Sequence, residues 1–537
     1  MQIKKGTVWH TYTTQSPTYD NAEETASQLI KTGMFLAILT PDNTFKCLSG
    51  CNVLSTKLSM KYENNGVSVN LGDANFLNSP GLCDLTIHSF YNCINLRLSE
   101  NKLFHITEQS YYNNIICCQK PILFGCGENE FFLIPIIRLY RNGISHITFI
   151  DEERYDNELN YFIDTKINLP FNASSSIIAS TEYTNRVIEL DLSPMNLVQR
   201  VIAKRLLSTQ IKQVEVKSRD ISCDNLTING KYINYAKEFE LQNSLSDIAR
   251  TTIAIIHNTL RKKTLKDILF GRKTTDFYHG WQGKPNIYIF SHDNQKSNAN
   301  KNSKYNKQLI SSLLSKSTFF NDEKDKQNHI DLRVFNDFNY YSEQGATLTL
   351  CSKKVEFKNI TDSYSESNII WDNQVKSDLR DFISFFYESK IEQVKNENNH
   401  IGLATTQEEI IQFEEWLRVF SKKYGEIQNI ISNNVQSNDL ELARKNLAKM
   451  LKSRMQVIKL KDASKNEISN RNITITFGLV ASTSLSPVIT KPLFENSGIT
   501  KIIKHLNLGG YTETIYYIFS AIFVSVVLLF INKLNRK

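Results

Sequence analysis

The chain has 537 residues, with 63 Lys and Arg against 55 Asp and Glu, which gives a formal net charge of +8. This length predicts about two to four domains, and 41% hydrophobic with 22% charged residues excludes a disordered chain. A mean hydropathy of −0.33 excludes a protein made mostly of membrane spans. Fifteen Lys and Arg against five Asp and Glu fall in residues 440–537, so the rest is nearly neutral. No direct nucleic-acid partner is therefore predicted from the basic composition.

Residues 1–400 are predicted to form a mixed domain of the α+β or α/β class, with a division into two subdomains left open. Strand-like runs occur at Phe35–Thr40, Ile144–Ile150, Val187–Leu192 and Asn286–Phe290. Helix-like runs occur at Met195–Leu207 and Leu241–Leu260, and the polar, turn-rich residues 292–307 predict an exposed loop. Nine cysteines, an odd number, and no apolar leader at the start indicate free thiols in a reducing compartment.

Catalytic signatures are missing from this region, and we predict that the chain is not an enzyme and holds no metal site. The sequence has no GxxxxGK[ST], GxGxxG, GxSxG or HExxH pattern. The acidic run Asp151–Asp156 indicates a solvated loop, with a cation-sensing patch as the alternative. A basic cluster is the candidate site for the phosphates of a nucleotide ligand, and it consists of Arg261, Lys262, Lys263, Arg272 and Lys273. The alternative, which the residues favour, is that these basic residues follow the C-terminus of a helix and interact favourably with the helix dipole.

Residues 401–471 are predicted to form a helical hairpin and a long stalk helix. The apolar residues from Ile410 to Ile431 recur at alternating spacings of three and four, which indicates an amphipathic helix. The polar run Asn433–Asn438 predicts the turn, and a second helix beginning near Asp439 can continue without interruption to Asn472. A coiled-coil dimer tail is the alternative to a stalk.

Residues 472–490 form a first candidate membrane span of 19 uncharged residues, seven of which are Ser or Thr. So many hydroxyls predict a helix that lines water or packs within a bundle, with a Ser/Thr-rich surface strand as the alternative. The predicted pore-lining stripe consists of Asn472, Thr476, Thr483, Ser486 and Thr490.

Residues 514–532 form the second candidate span, another 19 uncharged residues. The basic residues before 472 and in the tail 533–537 predict that both flanks are cytosolic. Residues 491–513, with only three Lys, would then be an external loop. The fold class expected is an α+β or α/β cytosolic domain, a helical hairpin, a long stalk and two C-terminal transmembrane helices. This layout predicts a multi-pass protein of the inner (cytoplasmic) membrane with both termini in the cytosol.

Residues from roughly 400 to 537, with the basic ending Lys533–Lys537, resemble the CorA family of divalent metal ion transporters. The resemblance implies a homopentamer whose first spans line a pore. The Gly-Met-Asn signature of the family, which forms its cation filter, is missing, and Ser486–Pro492 stands in the corresponding place. The missing signature removes the basis for predicting Mg²⁺ selectivity.

The resemblance extends to divergent members of the family that are encoded beside type III CRISPR systems. It implies a homo-oligomeric ion channel that a small-molecule activator, a nucleotide second messenger, opens in antiviral defence. The alternatives are a divalent cation (Mg or Co) transporter and a membrane-anchored scaffold without conduction. The expected partners are a lipid bilayer and further copies of the chain, and the expected ligand is a nucleotide or a divalent cation.

Overall fold

A computed structural model provides the structure of the protein. It describes residues 1–49, 52–63, 66–73, 76, 82–104, 112–214, 221–223, 226–228, 232–234, 244–261, 267, 283–318, 329–333, 336–353, 355, 366–421, 425–435, 438–496, 498, 501, 505, 509–511, 513–515, 517–519, 522–523 and 526. The chain divides into two compact units, one of residues 1–393 with 406–447 and one of residues 394–405 with 448–537.

The described secondary structure is mixed. The strands are β1 (Gln2–Gln15), β2 (Phe35–Leu39), β3 (Thr44–Ser49), β4 (Asn52–Glu63), β5 (Gly66–Leu71), β6 (Asn114–Gln119), β7 (Ile122–Cys126), β8 (Asn129–Tyr140), β9 (Ile144–Asp151), β10 (Tyr155–Glu158), β11 (Ser176–Ser180), β12 (Ile221–Cys223), β13 (Leu226–Ile228), β14 (Tyr232–Asn234), β15 (Lys284–His292), β16 (Phe338–Ser342) and β17 (Thr347–Cys351). The α-helices are α1 (Ala22–Ile30), α2 (Asp84–Phe104), α3 (Leu159–Phe162), α4 (Thr181–Asp191), α5 (Leu197–Val214), α6 (Leu245–Leu260), α7 (Ala299–Tyr305), α8 (Lys307–Ser315), α9 (Glu366–Asn396), α10 (His400–Ser421), α11 (Gly425–Val435) and α12 (Asn438–Asn496).

One large sheet organises the first unit. Its main path runs β16-β17-β15-β1-β9-β8-β6-β2-β3-β4-β5. Strands β15 and β17 pair in parallel, whereas β1 pairs antiparallel with both β15 and β9, and β8 pairs antiparallel with β6 and β9. Helices lie beside this mainly antiparallel sheet instead of alternating with parallel strands, so the domain is α+β.

The two faces of the sheet differ in polarity because successive side chains of a strand point to opposite faces. On one face Val8, Ile287 and Leu348 pack with Leu309 and Leu313 of α8 in an apolar core. The intervening residues of the same strands include the polar Thr11, Asn286 and Thr347, all of them buried. The second face therefore has to be covered by an element that supplies hydrogen-bond partners.

Residues 187–192 and 292–307 differ in secondary structure from the sequence-based expectation. The run Val187–Leu192, predicted as a strand, forms the C-terminal half of helix α4 and its C-cap. The N-terminus of this helix is capped by the Ser180 hydroxyl, which accepts a hydrogen bond from the amide of Tyr183 at 3.3 Å. The predicted loop at residues 292–307 contains helix α7. Its Asn302 is buried and donates a hydrogen bond to the carbonyl of Cys351 at 3.1 Å.

The C-terminal part consists of helices. Where the spacing of apolar residues predicts one helix, the structure has α10 and α11, separated by residues 422–424, which lie outside the described part. Phe413 and Leu417 of α10 and Ile427 and Ile431 of α11 are buried. Helix α12 runs through 59 residues from Asn438.

The two predicted transmembrane helices, at residues 472–490 and 514–532, are wrong. Among the residues that the structure describes, no helix is both long enough and apolar enough to cross a membrane. Residues 472–490 are the Ser/Thr-rich end of α12, which carries charged residues along its length before them. Part of 514–532 lies outside the described residues.

Candidate functional site

Helix α9 covers the polar face of the sheet, and it is buried on several sides. Its Gln374, Ser377, Asp378 and Asp381 recur at spacings of three and four, so they share one face of the helix. The first three of these residues are at most 1% exposed. An apolar helix would leave the buried strand groups unpaired at a cost of about 1–3 kcal/mol each.

Neutral side chains join α9 to strands β1 and β15. The amide of Gln374 donates a hydrogen bond to the Thr11 hydroxyl at 2.9 Å, and the Tyr288 hydroxyl donates to the amide oxygen of Gln374 at 3.0 Å. Ser377 donates to the side-chain oxygen of Asn286 at 2.7 Å, and the amide of Asn286 donates to Thr11 at 3.0 Å. These bonds fix the register between the helix and the sheet.

A buried ion-pair network continues this interface toward β8 and α2. Arg138 of β8 pairs with Asp378 and lies 3.5 Å from a carboxylate oxygen of Glu100. Arg97 pairs with Glu100 at 3.0 Å, and the side chain of Asn114 donates to Glu100 at 2.8 Å. All of these side chains are buried, so each charge depends on its partners. We call Thr11, Arg138, Asn286, Gln374, Ser377 and Asp378 the polar joint.

Burial shifts the titration of the groups in and around the polar joint. It raises the pKa of Asp378 from 3.8 to about 6, against the opposing effect of Arg138. Burial also lowers the pKa of Lys284, whose ammonium lies 2.9 Å from the carboxylate of Asp381, which acts in the opposite direction. Burial and the positive charge of Arg138 hold the pKa of His146 well below its ordinary value, so this imidazole is neutral at pH 7.

Aromatic rings extend the contact from the polar joint to helix α10. Tyr140 of β8 lies 4.8 Å from Phe382 of α9, measured between ring centroids, and Phe382 lies 6.2 Å from Phe413 of α10. Phe386 of α9 stacks on Phe413 at 3.7 Å with an interplanar angle of 19°. Phe413 also stacks on Trp416 at 5.5 Å. The rings therefore form a contiguous packed path from the sheet to α10.

The path ends at the beginning of helix α12. Tyr387 of α9 donates a hydrogen bond to Glu414 of α10 at 3.2 Å, and the same carboxylate oxygen accepts hydrogen bonds from Arg444 of α12 at 2.8 and 3.0 Å. The guanidinium of Arg444 lies 5.9 Å from the Tyr387 ring centroid. Glu414 and Arg444 are more than a third exposed, so their ion pair contributes at most about 1 kcal/mol. Breaking the Glu414–Arg444 ion pair therefore costs little free energy.

The geometry of the polar joint suits mechanical coupling better than catalysis. Its ionisable groups are closed off from solvent, so no substrate can reach them in this conformation. No group of His, Cys, Asp and Glu within the described ranges is arranged to hold a metal ion. A buried interface in which every polar group depends on another favours one register of the helix over its neighbours.

A second polar cluster lies beside helix α8. The imidazole of His329 lies 3.1 Å from the Ser311 hydroxyl through Nε2 and 2.5 Å from the Glu343 carboxylate through Nδ1. This is the order of groups in a hydrolytic triad. Ser311, however, is the fifth residue of α8, so its backbone amide is used inside the helix and is not available to stabilise an oxyanion. We assign the cluster a structural role, tying α8 to the end of β16.

The acidic run at Asp151 is not the solvated loop that the sequence predicts. Asp151 is 4% exposed, and its carboxylate accepts a hydrogen bond from Tyr155 at 2.6 Å and another from the amide of Glu153 at 3.1 Å. The neighbouring Glu152 lies 3.0 Å from His88.

Most of the sequence-predicted site residues, or their side chains, lie outside the described part of the chain. Arg261 directly follows α6, and its amide donates to the carbonyl of His257 at 3.1 Å. The other members of the basic cluster, Lys262, Lys263, Arg272 and Lys273, lie outside the described residues. The predicted pore-lining stripe lies within helix α12, of which the structure describes only the backbone at these positions: Asn472, Thr476, Thr483, Ser486 and Thr490.

Sequence reasoning missed the polar joint. One signal was present, because Gln374, Ser377 and Asp378 of α9 are interspersed with apolar residues such as Val375, Leu379 and Phe382. Polar residues on the buried face of a helix indicate partners across the interface. The partner Arg138 gave no such signal, since a single charged residue in a strand is compatible with a solvent-facing position.

Comparison with protein-family models, curated proteins and solved structures finds no match to this chain.

Proposed function

We propose that this protein is a homo-oligomeric, ligand-responsive effector in which the sheet domain is the sensor and helix α12 is the output. The observation that carries the proposal is the polar joint, because it connects the sheet to α9 through charged groups that have no access to water. A ligand that favours another register of α9 would act through this interface.

A continuous path of contacts connects the polar joint to the beginning of helix α12. Asp378 and Tyr387 belong to the same helix, so a displacement of α9 at the polar joint also moves the Tyr387 hydroxyl. Tyr387 shares the Glu414 carboxylate with Arg444, which lies near the beginning of α12. The contacts of α9 with the sheet are buried and strong, whereas the Glu414–Arg444 contact with α12 is exposed and weak. A movement of α9 would therefore change the contact with α12 at little energetic cost.

The exposed face of α12 supports self-association as the output. In the second compact unit Leu451 and Ile458 are buried, and Arg454 donates a hydrogen bond to the carbonyl of Lys395 at 2.8 Å. Leu460 and Ile468 are 70% and 47% exposed. Apolar residues at such spacing on a long helix favour packing against a helix of another copy.

Sedimentation velocity tests self-association directly. Leu460→Asn should shift the distribution toward monomer, because it places an amide in the proposed contact. Ile473→Asn is the matched control, since Ile473 is 49% exposed and lies about 140° away around the helix. Equal distributions for both variants and the unsubstituted chain would contradict this part of the proposal.

A nucleotide is the activator that the resemblance to divergent members of the CorA family, encoded beside type III CRISPR systems, implies, and it remains a prediction. Ion conduction was inferred together with two membrane spans that the structure does not support, so it is not part of this proposal. The divalent cation transporter and the scaffold without conduction also remain sequence-based alternatives.

Hydrogen exchange at the start of α12 tests the coupling. Asp378→Asn keeps the shape of the side chain but removes its charge, and it should accelerate amide exchange at residues 438–447 as well as in α9. Asp372→Asn on the same helix is the control, because Asp372 pairs with Lys102, whose side chain is 59% exposed. If Asp378→Asn changes exchange in α9 and the sheet alone, the polar joint stabilises the fold and transmits nothing.

A further inference from the structure

Helix α5 presents its apolar residues to solvent. Leu197, Val198, Val201, Ile202 and Leu206 are 45%, 66%, 62%, 57% and 65% exposed. At 100° per residue these positions cover one half of the helix circumference. A helix of a folded domain normally buries such a face, so this surface is built for an occupant.

The orientation of α5 is fixed by polar contacts at its beginning. The side chain of Asn196 accepts a hydrogen bond from the amide of Gln199 at 2.9 Å, and Gln199 accepts one from the amide of Asn196 at 3.3 Å, which is a reciprocal cap. Arg200 donates to the carbonyls of Ser193 and Met195 at 3.1 and 3.0 Å. Arg200 thus faces the protein while the apolar half of the helix faces away from it.

The charge on α5 indicates which occupant fits. No acidic residue occurs between Asn196 and Val214, whereas Lys204 lies at the border of the apolar face and Arg205 within it, and both are exposed. An apolar face with basic residues at and within its border is the composition of helices that lie in the surface of an anionic bilayer. The long basic side chains can reach the lipid phosphates while their stems stay among the acyl chains.

We infer that α5 is a binding site for anionic phospholipid, with its apolar half inserted at the level of the headgroups. This mode of attachment needs no membrane-spanning helix. It also does not depend on the proposed relay through α9, so either can fail without the other.

Quenching by brominated lipid tests the site in the full-length chain. Val201→Trp places a reporter on the exposed face, and Ile411→Trp places one at a position of α10 that is equally exposed, at 58%. Vesicles of phosphatidylglycerol with brominated acyl chains should reduce the added emission of the first variant and leave that of the second unchanged. Vesicles of brominated phosphatidylcholine should give little quenching, because they lack the negative charge.

A variant with a less apolar α5 provides the second test, because it should bind anionic vesicles more weakly. Val198→Ser with Ile202→Ser should reduce protection of residues 197–206 from hydrogen exchange on anionic vesicles, with an apparent affinity lower by about tenfold or more. Equal quenching at positions 201 and 411, or equal quenching by the two lipids, would overturn the inference. So would absence of quenching together with cross-linking of α5 to α5, which would assign the face to a second copy.

Discussion

Replacing Arg138 by Met tests the buried charge network at its centre. Among the described residues, Arg138 is the cation that pairs with the Asp378 carboxylate, which is fully buried and would otherwise keep the Gln374 amide at 2.9 and 3.0 Å. Glu100, by contrast, keeps Arg97 and Asn114. Removing one partner of a buried ion pair costs about 3–5 kcal/mol, so we expect local stability to fall by that amount.

The double variant Arg138→Met with Asp378→Leu separates a lost charge partner from lost packing. It leaves no uncompensated charge at Asp378, so it should recover at least about 2 kcal/mol relative to Arg138→Met alone. Native-state hydrogen exchange of residues 374–382 measures the opening free energy of α9 without requiring the whole chain to unfold in one step. A cost below about 1 kcal/mol for Arg138→Met, or additive effects in the double variant, would refute the assignment of a coupled ion pair.

Three further outcomes are expected. Burial raises the pKa of Asp151 from 3.8 to about 7, so the contribution of this carboxyl to stability is complete below about pH 4 and is lost as the pH rises to about 7. Asp151→Asn should therefore flatten the dependence of the melting temperature on pH between pH 4 and pH 7. An unchanged pH dependence would exclude this carboxyl as its source. Phe413→Ala should cost about 3–5 kcal/mol in urea unfolding, whereas Ile411→Ala should cost less than about 0.5 kcal/mol. A fluorophosphonate probe should not label Ser311; labelling that is lost in both Ser311→Ala and His329→Ala would show a working hydrolytic site instead.

Local patterns in the sequence predicted three strands of the sheet domain. Strands β2, β9 and β15 are apolar, β-branched runs, and their positions match the predictions. The run Val187–Leu192 alternates between apolar and acidic residues, but the Ser180 cap and the spacing of the buried residues Tyr183, Val187 and Ile188 make it a helix. A short alternating run is therefore weak support for a strand when a capping residue precedes it.

The functional surfaces depend on long-range pairing, which the sequence does not reveal. Arg138 and Asp378 are 240 residues apart, and they meet only because α9 lies across the polar face of the sheet. The stretch at 472–490 was read as a span from its length and lack of charge, but it is the polar end of a longer helix. Helix α5 overlaps the predicted helix-like run Met195–Leu207, yet a helical pattern alone cannot tell a buried face from one turned to solvent.

The coupling between the sheet and α12 is tested most directly from its far end. Coupling between two sites is reciprocal, so a change at α12 must be felt at the sheet. Glu414→Gln weakens the hold on Arg444 without touching the polar joint, and the relay predicts faster hydrogen exchange in β8 (Asn129–Tyr140) as well as in α10 and α12. Exchange that changes in α10 and α12 but stays the same in β8 would contradict the relay.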